Sequence, residues 1–269
     1  MPKYIVRFGK MRTLGVFSSP GSEKYARGEE VILRTDRGLE AGQVLCEATA
    51  HAMKQLKNPP RGRIQRRLND SDRLEIARIH QLERREFEVC REHIAELGLK
   101  MRLVDVEHIF GGERILVYYV ADNRVDFRQL VKNLAGEFQT RIEMRQIGAR
   151  DEAKLLADYG DCGKPVCCNT HLVQMPPVSM KMAKLQKATL DPSKISGRCG
   201  RLKCCLRYEF HTYQDLQKQL PKVGADVVTS QGRARVLAQE ILAQQVLVEL
   251  EDHRRVLLPA EEILTVLGS

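Results

Sequence analysis

Six of the chain's eight cysteines fall in two short boxes, residues 160–168 and 197–205. The first reads GDCGKPVCC and the second GRCGRLKCC, so each is Gly-x-Cys-Gly-(Lys/Arg)-x-x-Cys-Cys. Cys162, Cys167 and Cys168 recur at Cys199, Cys204 and Cys205 with one constant offset of 37 residues. Scattered cysteines would not repeat in register, so the pattern reads as a paired thiolate site. Four sulfurs converging from two segments suit zinc, at about 2.3 Å each, or a four-iron cluster with one thiolate per iron. The glycine after the first cysteine lets the backbone bend around such a site. Lys164 and Arg201 behind it offset thiolate charge and lower thiol pKa. The spacing from Cys162 to Cys167 is longer than the usual zinc knuckle, which tilts the reading toward iron–sulfur, with zinc as the alternative.

Other cysteine chemistries are open to the same residues. Buried, inert thiols are one. A thiol–disulfide pair is another, but its usual Cys-x-x-Cys signature is absent. A phosphatase-type Cys-x5-Arg is absent too, because Cys168 and Cys205 stand where the arginine would be. His171 is a candidate fifth ligand or base, although a lone loop histidine is more often neither. Asp158 and Asp161 read as surface residues. No phosphate-cradling glycine loop, nucleophile elbow or metal-spaced carboxylate pair occurs, so the expectation is a protein that is not an enzyme.

Adjacent side chains diverge by about 100° on a helix. With Arg201–Phe210 read as helix, Cys205 shares a face with Leu202 and Leu206, and Cys204 with Arg201 and Tyr208. That phase nominates Cys204 as ligand and Cys205 as a core residue. The register then nominates Cys167 over Cys168, and Cys162 with Cys199 completes the quartet. Cys168 and Cys205 are the second choices.

The elements that must position these boxes have their own signals. Tyr4–Phe8, Leu14–Phe17, Glu30–Thr35 and Gly42–Leu45 are strand candidates, and Ser18–Gly21 and Asp36–Gly38 break them. Val227–Thr229, Ala234–Leu237, Gln245–Leu250 and Arg255–Pro259 echo them at the other end. Both ends read as small SH3-like barrels, docking modules for RNA or protein or else packing modules. Between them, Asp70 or Ser71 caps a long helix over Asp72–Leu97, with Ile76, Ile79, Phe87, Cys90, Ile94 and Leu97 on one stripe interrupted by Glu83. Cys90 reads as a small core hydrophobe, and Cys46 likewise. Strands Leu103–Phe110 and Arg114–Val120, helix Val125–Phe138 and strand Arg141–Ile147 complete an α-β-β-α-β order. Short helices follow at Asp151–Ala157 and Val178–Lys187, with a break at Met175–Pro177 and a turn at Leu190–Lys194. A last helix is predicted over Arg201–Gln219. The fold class is therefore α+β, with β-barrel modules over residues 1–60 and 221–269 flanking a central domain over 61–220.

A formal charge of +9 favours an anionic partner, nucleic acid or an acidic protein face. From Ala48 to Asn69 there is no acidic residue, and Arg61, Arg63, Arg66 and Arg67 read as a basic linker with a weak nucleic-acid or partner reading. Tryptophan is absent and aromatics are 5%, so extensive base stacking is not advertised. No apolar run is long enough to span a bilayer, and the N-terminus lacks a signal-peptide core, so a cytoplasmic location without membrane insertion is expected.

Residues 124–168 with 177–209, which contain both boxes, resemble the PSP-one C-terminal domain family in its bacterial YaaT/RicT branch. The likeness is specific between about Met101 and Tyr208 and looser over both barrels. It implies a cytoplasmic, non-enzymatic regulatory subunit. Such a subunit joins RicA- and RicF-like proteins in a complex that carries iron–sulfur clusters, of the four-iron type on this reading. That complex modulates messenger RNA processing by the membrane-anchored endonuclease RNase Y and is tied to sporulation, competence and biofilm control. The family's cysteines fall on Cys162, Cys167, Cys168, Cys199, Cys204 and Cys205. The chain departs from the family at Lys164, Val166 and His171, where Arg, Leu and Phe are usual. A competing reading is a stand-alone, zinc-stabilised RNA-binding protein, with RNA as its partner; a thiol redox enzyme is a third.

Overall fold

The computed structural model describes residues 1–172, 176–189 and 191–267. Met175 and Leu190, expected in a chain break and a turn, lie outside the described residues. Contacts divide the chain into two compact units, Met1–Gln174 with Arg198–Gly200, and Met175–Gly197 with Arg201–Ser269. The mixed α+β class is as expected from the sequence.

The first unit begins with a closed barrel of five strands, β1 (Lys3–Phe8), β2 (Thr13–Ser18), β3 (Glu30–Arg34), β4 (Leu39–Glu47) and β5 (Arg61–Arg67), in the order β1-β2-β5-β3-β4. Strands alternate their side chains, and Tyr4, Val6, Phe8, Phe17, Val31, Leu33, Val44 and Ile64 point inward as one core. A short helix, α1 (Ala50–Lys54), precedes β5. The basic run expected as a linker is therefore a strand. It pairs parallel to β2 and antiparallel to β3, and it carries the barrel to Arg67, past the boundary expected at residue 60. Gly62 makes this closure feasible, because a Cβ there would lie 2.2 Å from the Arg34 carbonyl oxygen. Cys46, expected in the core, is exposed at the end of β4.

Asn69, not Asp70 or Ser71, caps α2 (Asp70–Glu96), and Asp72 closes a capping box. Helix α2 lies on a three-stranded sheet of β6 (Arg102–His108), β7 (Arg114–Val120) and β8 (Arg141–Gln146), with α3 (Arg128–Phe138) beside it. Cys90, Ile94, Val106, Ile115, Val117, Leu130, Leu134 and Ile142 form its core. Burial pushes the Cys90 thiol up to about 12, so it behaves as the inert hydrophobe expected.

Glu83, which interrupts the apolar stripe, is buried. Lys10 Nζ lies 3.1 Å from it, and its other oxygen accepts from the His108 backbone N–H at 3.0 Å. Beside it, Arg37 donates to both oxygens of Glu40 and lies 3.3 Å from Glu107, which also accepts from the Tyr118 hydroxyl at 2.6 Å. These buried charges join the barrel to α2 and the sheet. Helix α4 (Ala149–Leu156) then leads to the first box.

The second unit contains α6 (Met180–Leu185), α7 (Pro192–Ile195), α8 (Cys204–Tyr208) and α9 (Phe210–Lys218), numbered after α5 (Cys167–Thr170) of the first box. Met182, Ala183, Leu206 and Phe210 pack together. Its sheet runs β12 (Arg255–Pro259), β11 (Gln245–Leu250), β10 (Gly232–Glu240), β9 (Asp226–Thr229) and β13 (Ile263–Val266), in that spatial order. Strand β13 has no counterpart in the sequence expectations. Among the described residues, no helix is long and apolar enough to cross a membrane.

Candidate metal centre

The repeat in sequence is a repeat in backbone. Tyr159 pairs with Pro165 in the first box, and Ser196 with Leu202 in the second. Inside each pair the glycine N–H closes the loop, Gly160 onto the Lys164 carbonyl and Gly197 onto the Arg201 carbonyl, both at 2.8 Å. The next rung repeats as well: Val166 N–H donates to Asp158 at 3.2 Å, and Lys203 N–H to Ile195 at 2.8 Å. Gly163 and Gly200 sit at the loop tips with φ of 73° and 71°. That left-handed conformation costs a side chain about 1–2 kcal/mol, which is why glycine stands at both. Each loop then turns into a helix through a residue of nearly identical conformation, Val166 at φ −55°, ψ 130° and Lys203 at φ −55°, ψ 127°. Cys167–Cys168 and Cys204–Cys205 are thus the opening residues of α5 and α8.

The loop cysteines stand ahead of these helices. Cys162 is exposed and Cys199 half-buried, and the four helix cysteines are half-buried. Cys162 Sγ folds back over the start of its loop, 3.6 Å from where a Cβ on Gly160 would stand. Lys154 of α4, pushed down by burial, lies within electrostatic reach of Asp151 and Cys168. Sequence reasoning passed over this lysine, whose placement follows from α4 packing on α5 and not from any motif. Burial, followed by the neighbouring Cys204 and Glu209, pushes the Cys205 thiol up.

The predicted helix over Arg201–Gln219 is two helices. The backbone of the box keeps Arg201 and Leu202 in the loop, so α8 begins at Cys204, and Glu209 joins it to α9. Neither residue can therefore set the helical phase of the cysteines. What remains of that argument is that Cys204 shares a face with the exposed Tyr208, while burial acts on Cys205. His171 ends α5, and its Nδ1 lies 3.0 Å from the Thr170 hydroxyl.

Cys162, Cys167, Cys168 and Cys199 belong to the first compact unit, Cys204 and Cys205 to the second. Among the described residues, no three His, Cys, Asp or Glu side chains are grouped so as to hold a metal ion. The donor chemistry nevertheless fits a thiolate-bound group. Six thiols occupy matched positions in two loops of one design, and none is in a disulfide.

The four arginines of the basic run separate. Arg66 is bound to Asp72 through both terminal nitrogens. Arg67 lies 4.7 Å over the Tyr25 ring and donates to the Lys24 carbonyl. Both are tied to the barrel and its neighbours while their side chains stay about half exposed, 48% for Arg66 and 51% for Arg67. Arg61 and Arg63 are exposed and carry no ion pair among the described residues.

Residues 62–147 match the PSP1 C-terminal conserved region, and residues 177–220 match the third domain of PSP1-like proteins. The chain is 43% identical over 256 residues to the stage 0 sporulation protein YaaT of Bacillus subtilis, covering 94% of this chain and 91% of that protein. It is also 36% identical over 56 residues, 21% of this chain, to an uncharacterised protein of Schizosaccharomyces pombe, of which the match covers 8%. No solved structure matches the chain. With two regions of the PSP1 type and a near full-length likeness to YaaT, the chain belongs to the YaaT family of PSP1 C-terminal domain proteins.

Proposed function

We propose that this protein is a non-enzymatic, cytoplasmic regulatory subunit that carries a cysteine-ligated iron–sulfur cluster. It acts with RicA- and RicF-like partners to modulate RNase Y-dependent messenger RNA processing and, through it, sporulation and related development. The observation that carries the cluster is the repeated box. Two loops share their hydrogen bonds, glycine conformation and helix entry, and each presents three thiols at matched positions. The family relation to a stage 0 sporulation protein supports the developmental role.

Cys162, Cys167, Cys199 and Cys204 are the proposed ligands, with Cys168 and Cys205 as second choices or as donors to a cluster shared with a partner. A bound cluster would supply redox- and oxygen-sensitive crosslinking of the two boxes. The chain's own residues set the rest: Gly163 and Gly200 turn the loops, and Lys154, Lys164 and Arg201 bring positive charge to thiolates. The terminal β modules are read as SH3-like docking surfaces for the partners.

Anaerobic purification tests the cluster. A broad visible absorption with matching iron and sulfide content, and co-purification with the RicA- and RicF-like proteins, is the expected result. A colourless protein with stoichiometric zinc would replace this reading with the zinc-stabilised RNA-binding one. A protein with neither metal would end both.

A further inference from the structure

The outer face of the N-terminal barrel holds a cleft that the cysteine boxes do not use. It encloses about 330 Å³, within the range of small-ligand pockets. Val16 of β2 and Met53 of α1 give it an apolar floor, and Lys3, Ser18, Arg61 and Gly62 line it. The strand register places Lys3 of β1 opposite Ser18 of β2, and Ser18 opposite Arg63 of β5. Because Tyr4 and Phe17 point into the core, their neighbours Lys3 and Ser18 turn outward. Lys54 ends α1 beside Met53, and Lys57 follows it. Lys3, Lys54, Lys57, Arg61 and Arg63 are all exposed and carry no ion pair among the described residues. Glu47, opposite Tyr4, is the acidic residue at this end of the neighbouring strand β4, whose other one, Glu40, is buried against Arg37.

We propose that this cleft binds single-stranded RNA, taking one nucleotide at a time. Three features argue for a polynucleotide over an acidic peptide. An apolar floor flanked by cations suits a flat base joined to phosphates. Arg61 offers a guanidinium plane on which a base can stack where aromatic residues are lacking. The register sets Lys3 and Arg63 on either side of Ser18 across β1, β2 and β5, which offers cations to successive phosphates of a backbone. Ser18 selects RNA over DNA. Its hydroxyl donates to the Gly62 carbonyl only at a long 3.4 Å, leaving its oxygen to accept from a ribose 2′-hydroxyl. The proposal does not depend on the metal and holds whichever ion the boxes carry.

Fluorescence anisotropy on the full chain tests it, with labelled oligouridylate and oligothymidylate of about twelve nucleotides. Wild-type protein is expected to bind the RNA more tightly than the DNA. The Lys3→Ala/Arg61→Ala variant is expected to bind RNA roughly tenfold more weakly, and its log–log salt slope to fall by about 1.4, or ~0.7 per lost phosphate contact. Lys3→Arg/Arg61→Lys should retain the slope, and Ser18→Ala should narrow the RNA–DNA difference. Lys181→Ala/Lys222→Ala, remote in sequence, should bind as wild type, and an unchanged melting midpoint confirms that each variant is folded. Absence of RNA binding by wild-type protein would overturn the proposal. So would equal binding of DNA, tighter binding to polyglutamate or anionic vesicles, or equal losses in the control variant.

Discussion

Replacing Arg37 with methionine should be among the more damaging single changes in the first unit, and its cost should depend on pH in a defined direction. The Arg37 side chain is 8% exposed and faces Glu40, 3% exposed, and Glu107, 6% exposed. It also lies 5.5 Å from the Phe8 ring centroid. Methionine fills much of the volume but strands two buried carboxylates that face each other. Removing one partner of a buried ion pair costs about 3–5 kcal/mol, against a domain stability of about 5–15 kcal/mol. At roughly 2–4 °C per kcal/mol for a unit of this size, the melting midpoint should fall by about 6–20 °C near neutral pH. Burial already holds the Glu40 carboxyl above its ordinary 4.5, even with Arg37 present. A raised acid contributes stability on the acid side, and that share is lost as pH rises through its folded value. Without Arg37 the folded value rises further, so the variant's deficit should shrink on acidification. Thermal melts by circular dichroism at about pH 8 and about pH 5.5 read both effects. A midpoint loss under about 3 °C at the higher pH, or a deficit that grows toward acid, would refute the reasoning.

Three further outcomes are expected. Gly62→Ala should lower stability by about 1–3 kcal/mol and raise amide exchange along β5, because the new Cβ meets the Arg34 carbonyl at 2.2 Å and the Phe17 ring at 2.8 Å; unchanged exchange would mean that β5 does not close the barrel. Cys204→Ser should lose bound metal, whereas Cys205→Ser should keep it and lower stability by about 0.5–3 kcal/mol; metal analysis and melting would expose the reversed assignment. Chelation should loosen the two boxes first, since structural metal supplies apparent binding energies of about 10–16 kcal/mol; hydrogen exchange there that ignores metal removal would deny the metal a structural role.

What the sequence disclosed was what repeats locally. Strands β6, β7, β9, β10, β11 and β12, and the apolar stripe of α3, lie close to where periodicity puts them, because each has several apolar residues at one spacing. Strand β5 escaped because Ile64 is the one apolar side chain in RGRIQRR, and the other inward position is Gly62. A run of arginine suggests solvent, and the barrel needs only a narrow strand there. Glu83 looked like a flaw in the α2 stripe because its partner, Lys10, lies in the turn between β1 and β2, far off in sequence. Cys46 was misjudged for a simpler reason. It stands at the end of β4, where the strand leaves the core.

The boxes show the same limit at finer grain. A constant offset of 37 residues foretold one local design used twice, and the backbone repeats it rung by rung. The helical phase of Cys204 and Cys205 did not follow, because it was drawn through Arg201 and Leu202, which the loop claims. A helix that starts at a cysteine cannot inherit its phase from the residues before it. The choice between neighbouring thiols therefore turns on what covers them. Both thiols are half-buried; burial pushes the Cys205 thiol up, and Cys204 shares its face with the exposed Tyr208. The same argument cannot be carried to Cys167 and Cys168 by register alone, since Val166, buried, stands where the second box has Lys203. The residue that leads into the first pair is thus apolar and buried, and the one that leads into the second is charged. A group bound by both boxes would meet two loops of one backbone with different neighbours.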